Sequence, residues 1–94
     1  MTVPLQDRRE ILTAFRYAYE GTPAEAGRTL VAYAVEQKLI KPRRSIPGDT
    51  LRAWATEGNP PLWAVRSAAR WLQAHDFLPR DDKQGRAIAA ASQV

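Results

Sequence analysis

Residues 22–54 read TPAEAGRTLVAYAVEQKLIKPRRSIPGDTLRAW, and this stretch decides how the chain is organised. Thr22 followed by Pro23 predicts a helix N-cap with proline at the first helical position, and Glu25 completes a capping box. The apolar residues that follow recur with a helical period, so this helix is expected to end near residues 37–39. Its buried arc is expected to contain Ala26, Gly27, Leu30, Val31, Tyr33 and Ala34.

Proline interrupts the helical pattern twice after this helix. Pro42 and Pro47 bias the residues before them to extended geometry, so residues 40–47 are predicted to form a connection. A short third helix is expected from Pro47 to about Thr56. Gly27 lies within the buried arc although glycine disfavours helix, which predicts that another helix backbone passes close to it. The inward stripe of the third helix has the spacing i, i+3, i+4 and consists of Leu51, Trp54 and Ala55.

The flanking segments also have a helical period, and nothing in the chain is typical of a strand. The first helix is expected to begin at Pro4 or Asp7 and to end near Glu20. A fourth helix is expected from the N-cap Asn59, with proline next at its first helical position, to about residue 75. Asn59 follows a glycine, which fits the end of the helix before it.

The C-terminal part is less regular. Phe77 and Leu78 are expected to fold back onto the core, and residues 79–94 are expected to form either a tail or a weak fifth helix over 86–92. The sequence thus predicts one compact all-α domain of four to five helices, residues 1–78, followed by residues 79–94. The expected core side chains are Leu12, Phe15, Leu30, Val31, Ala34, Leu51, Trp54, Val65, Leu72 and Phe77.

The composition is that of an ordinary globular domain, with 94 residues of which 45% are hydrophobic and 26% charged. The absence of cysteine excludes disulfides and thiolate metal sites, and it fits a reducing compartment. No apolar run approaches the ~20 residues that a membrane-spanning helix requires, and residues 1–9 contain no apolar signal-peptide core. We therefore expect a cytoplasmic protein without a membrane partner.

The positive charge is concentrated in one third of the sequence. The net charge is +4, yet residues 38–70 contain only two acidic residues, Asp49 and Glu57. A local excess of positive charge at a helix entrance is typical of a surface that binds a polyanion. The basic residues of this third are Lys38, Lys41, Arg43, Arg44, Arg52, Arg66 and Arg70.

Residues 22–54 resemble the helix-turn-helix DNA-binding unit of small bacterial and phage regulators. Residues 22–27 are similar to the opening of the first motif helix, and residues 45–54 are similar to a recognition helix. The resemblance implies that the third helix lies in the major groove of double-stranded DNA while the preceding helix crosses the backbone. The connection of roughly seven or eight residues is longer than the family's turn of about three or four.

The resemblance assigns DNA contacts to the connection and to the outward side of the third helix. Arg52 is the expected base reader, because a guanidinium matches guanine O6 and N7. Arg43 and Arg44 are expected to bind phosphate. Asp49 contacts a cytosine N4, pairs with an arginine or faces away. The alternative is a solvated basic loop followed by a capped helix. The expected DNA-binding set is Lys41, Arg43, Arg44, Ser45, Asp49, Thr50, Arg52 and Thr56.

A second candidate contact lies on the fourth helix. Trp63 falls in the polar arc with Arg66 and Arg70 at i+3 and i+7, an arrangement suited to stacking on a base or anchoring a protein interface. In the alternative, Trp63 packs against Phe77 or the C-terminal tail. Tyr17 lies on the polar side of the first helix in the same way.

These patterns predict a protein that binds double-stranded DNA as a small transcriptional regulator or a phage or mobile-element protein. A homodimer formed through the first helix or the tail would lengthen its site. Two alternatives stay open, a helical adaptor for another protein and a single-stranded nucleic-acid binder. No enzymatic activity, cofactor or small-molecule ligand is expected, because the sequence holds no catalytic set, metal-spaced cluster or phosphate loop. His75, the sole histidine, is expected at a helix C-terminus.

Overall fold

The computed structural model describes residues 3–42 and 46–93. These residues form five α-helices and no strand, which confirms the prediction of an all-α domain of four to five helices. None of the helices in the described ranges is long and apolar enough to cross a membrane. The helices are α1 (Leu5–Ala18), α2 (Pro23–Glu36), α3 (Gly48–Thr56), α4 (Leu62–Ala74) and α5 (Asp82–Ser92).

The core forms where α1 and α4 meet. The Phe15 ring is fully buried and meets Trp71 edge-on, with 5.0 Å between the ring centroids. Two side chains expected in the core, Trp54 and Phe77, are only partly buried, because Trp54 lies on the flank of α3 and Phe77 borders an open groove. The expected core residues that are buried are Leu12, Phe15, Leu30, Val31, Ala34, Leu51, Val65 and Leu72.

The first turn of α2 has the predicted cap. The hydroxyl oxygen of Thr22 accepts the backbone N–H of Glu25 at 3.1 Å, and Pro23 is the first helical residue. The Thr22 hydroxyl in turn donates to the Glu25 carboxylate at 3.2 Å. A hydroxyl cap of this kind contributes about 1 kcal/mol to helix stability. The position of α2 is thus encoded locally.

The start of α4 differs from the prediction. The helix begins at Leu62 with Pro61 as N-cap, rather than at Pro60 with Asn59 as N-cap. A residue that precedes proline is disfavoured in the helical region, and Pro60 precedes Pro61. The pair of prolines therefore delays the helix, and Pro60 becomes a fully buried part of the turn.

The connection between α2 and α3 covers residues 37–47, and Ile46, near its end, lies beside α2. It begins at the C-terminal end of α2, yet a Cβ added to Gly27 in the second turn of that helix would lie 2.6 Å from the carbonyl oxygen of Ile46. Gly48, the first residue of α3, lies against Pro23 in the same way. The expectation of a helix backbone beside Gly27 is wrong, because the backbone there belongs to the connection.

Gly27→Ala should destabilise the protein by roughly 1–3 kcal/mol, because the new methyl group meets a backbone oxygen that cannot rotate away. This destabilisation is the net effect, after the gain in helix propensity of about 1 kcal/mol that alanine brings. Urea denaturation followed by circular dichroism measures the change.

Gly85→Ala in α5 is the matched control for this substitution. Its Cβ would meet only the ring of the exposed Pro79, 3.3 Å away, so the substitution should be neutral or stabilising. A Gly27→Ala protein as stable as the unsubstituted chain would contradict the close packing of the Ile46 carbonyl against Gly27.

The C-terminal end of α3 is held by α1. Arg9 donates from Nε to the Gly58 carbonyl at 2.8 Å and from Nη2 to the Glu57 carbonyl at 3.0 Å. The Thr13 hydroxyl lies 3.0 Å from the carbonyl oxygen of Ala55. The sequence places Arg9 and Thr13 on the polar side of α1, but here they satisfy carbonyl groups that a helix end leaves unpaired. A guanidinium also suits the negative end of the helix dipole.

Residues 82–92 form the fifth helix, which packs along α4. Asp81 is its N-cap, and the hydrogen bond from the Gln84 N–H lowers the pKa of the Asp81 carboxyl below its ordinary value. The cap is therefore complete at neutral pH and is lost as the pH falls through that lowered pKa. Leu78 does not fold back as predicted: it is 87% exposed, whereas Phe77 beside it is half-buried.

Candidate nucleic-acid interface

One side of α3 packs against the rest of the domain, and the opposite side faces outward. Leu51 and Ala55 are buried, and they hold α3 against α1 and α2. The opposite side carries Asp49, Arg52 and Thr56, all exposed. The helical period of α3 therefore predicted correctly which side faces outward, and three polar side chains on that side are exposed to solvent.

Asp49 and Arg52 form an ion pair across one turn of α3. Both side chains stay open to solvent, at 87% and 60% exposure, so the pair contributes little to stability. Of the three alternatives for Asp49, pairing with an arginine is the arrangement in the structure. Thr56 donates its hydroxyl to the Arg52 carbonyl at 3.0 Å, and Thr50, near the start of α3, is half-buried.

The connection brings exposed cations next to α3 in the chain. Lys41 is exposed, and so is Lys38, whose φ of 60° marks the left-handed turn that ends α2. The predicted contacts Arg43, Arg44 and Ser45 lie outside the described residues. Lys38 belongs to the basic third but is not among the predicted DNA contacts, and its exposed side chain adds a further positive charge on this segment.

The second candidate set, on α4, packs closely against its neighbours. The Trp63 ring meets Trp54 of α3 edge-on, with 6.0 Å between the ring centroids, so α3 is one neighbour of this side chain. Arg70 donates from Nε to the Ser92 carbonyl at 2.8 Å and from Nη1 to Gln37 at 3.2 Å. Its guanidinium therefore ties α5 and the end of α2 to α4.

Arg66 lies between these two anchor points on α4. Its Nε is buried and has no hydrogen-bond partner among the described residues. Trp63 on one side contacts α3, and Arg70 on the other holds Gln37, where the connection begins. Arg66 is thus on the side of α4 that faces the two elements joined by the connection. The described cations of the basic third other than Arg70 are Lys38, Lys41, Arg52 and Arg66. We call this set, defined by its place in the sequence and its charge, the basic face.

The arrangement of α2 and α3 differs from a short-turn helix-turn-helix unit. A turn of about three or four residues places the start of the second helix beside the end of the first. Here α3 begins beside the first turn of α2, where Gly48 lies against Pro23. Docking on DNA would therefore use α3 and the connection, with α2 in a different position from the first helix of that family.

The one histidine of the sequence lies at the C-terminal end of α4. His75 is the C-cap of α4, as its position in the sequence predicts, and its ring stacks on Trp71 at 3.9 Å. Its Nδ1 lies 2.9 Å from the Trp71 carbonyl oxygen. In residues 3–42 and 46–93 no three His, Cys, Asp or Glu side chains gather as ligands for a metal ion.

Comparison with known proteins gives no relative for this chain: no family model, no curated protein and no solved structure matches it. Its function must be inferred from its own residues.

Proposed function

We propose that this chain binds double-stranded DNA, with the outward side of α3 in the major groove and the basic face on the phosphates. The observation that carries the proposal is the exposed polar side of α3, a helix whose opposite side is buried and which belongs to the most basic third of the sequence. An α-helix fits the major groove, and phosphate contacts from lysine and arginine supply most of the affinity. The role we propose is that of a small transcriptional regulator or a mobile-element protein.

Arg52 and Asp49 are suited to read one or two base pairs together. A guanidinium donates to guanine O6 and N7, and a carboxylate accepts from cytosine N4. In the free protein the two groups satisfy each other on the protein surface. Binding would exchange this exposed ion pair for base contacts at little cost, since an exposed pair contributes at most about 1 kcal/mol.

The phosphate contacts come from the connection and from α4. Lys41 is exposed, and Arg43 and Arg44 belong to the same segment of the sequence. Arg66, which is half-buried on α4, adds a further guanidinium. Arg70 already donates hydrogen bonds to Ser92 and Gln37, so we assign it a structural role and do not count it among the phosphate contacts.

Single-stranded binding through Trp63 is the weaker candidate. Stacking on a base needs an open aromatic face, whereas Trp63 is only partly exposed and packs on Trp54. The adaptor alternative uses Trp63 and Tyr17 together with the basic face, but Trp63 packs on Trp54 whereas Tyr17 borders a groove at α1.

Selection of bound duplexes from a random pool tests the proposal. We expect a recovered motif that contains a G·C pair, and Arg52→Ala should relax the preference at that position by ~1–3 kcal/mol. Arg52→Lys is the matched control, since it keeps the charge but loses the bidentate geometry. Recovery of duplexes without a motif would mean that α3 does not read bases, and recovery of no duplex would contradict DNA binding itself.

A further inference from the structure

An open groove separates α1 from the segment between α4 and α5. It has a volume of about 460 Å³ and is bordered on the α1 side by Glu10 and Tyr17 and on the opposite side by Leu78 and Arg80. Tyr17 is 91% exposed and Leu78 is 87% exposed, which makes them two of the three large hydrophobic side chains exposed within the described ranges. The groove therefore combines a depression with two projecting apolar side chains.

The charges around this groove are complementary to each other but do not meet within one chain. The ion pairs among the described residues are Asp49 with Arg52 and Arg80 with its neighbour Asp81, so Glu10 takes part in neither. The Arg80 side chain is 70% exposed, and its 3.4 Å contact with Asp81 is long. One wall of the groove thus offers a carboxylate and the other a guanidinium.

We propose that a second copy of this chain occupies the groove. A two-fold interface is self-complementary, because residue i of one copy meets residue j of the other and the reverse. Here Glu10 of each copy meets Arg80 of its partner, and the tyrosine and leucine that flank one groove fill the other. Aromatic anchors in a pocket with a charged rim are the usual arrangement at such interfaces.

The position of the groove relates this dimer to the basic face without depending on it. Thr13 lines the groove and also lies 3.0 Å from the Ala55 carbonyl of α3. The groove is therefore next to the C-terminal end of α3. The dimer extends the proposed function by giving a pair of half-sites, but it forms without DNA and can be tested without it.

A charge exchange measured by sedimentation velocity provides the test. We expect the unsubstituted chain to dimerise at roughly 100 µM, and either Glu10→Arg or Arg80→Glu to weaken the homodimer about 10-fold or more, since each places like charges together twice. An equimolar mixture of the two substituted chains should dimerise again, because each pairs with the other's opposite charge. Tyr17→Ser should weaken the homodimer about 10-fold without being restored by mixing.

Two results would overturn the proposal. The first is a chain that stays monomeric at roughly 100 µM, which would leave the groove to a different partner. The second is a dimer that survives both charge substitutions, which would place the interface elsewhere. Circular dichroism melts of the variants confirm that the exposed substitutions leave the fold intact. Loss of dimerisation with retained duplex binding, or the reverse, separates this proposal from the proposed function.

Discussion

Replacing Arg43 and Arg44 together by glutamine should lower the affinity for any DNA duplex roughly 50-fold at ~0.1 M salt. Each lost phosphate contact also reduces the slope of log affinity against log salt by about 0.9, so the pair should flatten that slope by about 2 per bound chain. The loss should be nearly the same for every sequence, because phosphate contacts carry no base information. Fluorescence anisotropy of labelled duplexes at several salt concentrations measures both quantities.

The matched control removes the same charge from another part of the surface. Lys83→Gln with Arg86→Gln changes two exposed cations of α5, which lie outside the basic face. This control should change affinity by about 3-fold at most, since exposed charges farther away than ~10 Å are largely screened. Equal losses from both pairs would mean that net charge alone drives binding and that the connection has no special role.

Phe15→Ala should lower the free energy of unfolding by about 3–5 kcal/mol. The ring is fully buried, packs edge-on against Trp71, and lies 5.9 Å from the ring of Tyr19. A small domain has a total stability of roughly 5–15 kcal/mol, so this loss is a large part of it. At about 4–8 °C per kcal/mol, we expect the melting temperature to fall by at least ~12 °C.

Tyr17→Ala is the control for this change, because it removes an aromatic ring from the same helix. Tyr17 is 91% exposed, so its loss should change stability by no more than about 0.5 kcal/mol in dilute solution. Thermal melts at a concentration where the chain is monomeric keep dimerisation from contributing. Similar effects from the two substitutions would contradict the packing of α1 on α4.

The parts of the fold that the sequence predicts are those set by local chemistry. The Thr22 cap follows from a hydroxyl, a proline and a glutamate at fixed spacing, and these groups make the expected hydrogen bond. The helical period identifies most of the buried side of α2 and of α3, because each helix must place its apolar residues on one side. Tyr33 and Trp54, which were expected on those sides, are only partly buried. The outward side of α3, with Arg52 and Asp49, follows from the same period.

The parts that the sequence does not predict depend on contacts between distant segments. Ile46 packs beside Gly27 and Gly48 beside Pro23, and no local pattern in the sequence encodes these two contacts. In the sequence, Arg9 has no feature that separates it from a solvent-exposed arginine. Its role depends on the end of α3, whose carbonyl groups accept hydrogen bonds from its guanidinium. Leu78 was expected in the core because its side chain is apolar, but in the structure it is exposed and lines the groove beside α1.

The candidate site combines features that the local sequence predicts with features that depend on contacts between distant segments. The sequence identifies the basic third and the face of α3, but the structure brings Arg66 toward the same elements and assigns Arg70 to internal hydrogen bonds. The charge distribution along the chain thus identifies the third of the sequence that is richest in cations. It says little about which cations remain available for a ligand.

The salt dependence of duplex binding tests the central claim most directly. We expect measurable binding to a duplex of about 20 base pairs near 50 mM salt, with log affinity falling by roughly 4 units or more per unit of log salt. Such a slope corresponds to several phosphates neutralised at once by the basic face and the connection. Absence of duplex binding near 50 mM salt, or an affinity that ignores salt between about 50 and 200 mM, would contradict the claim.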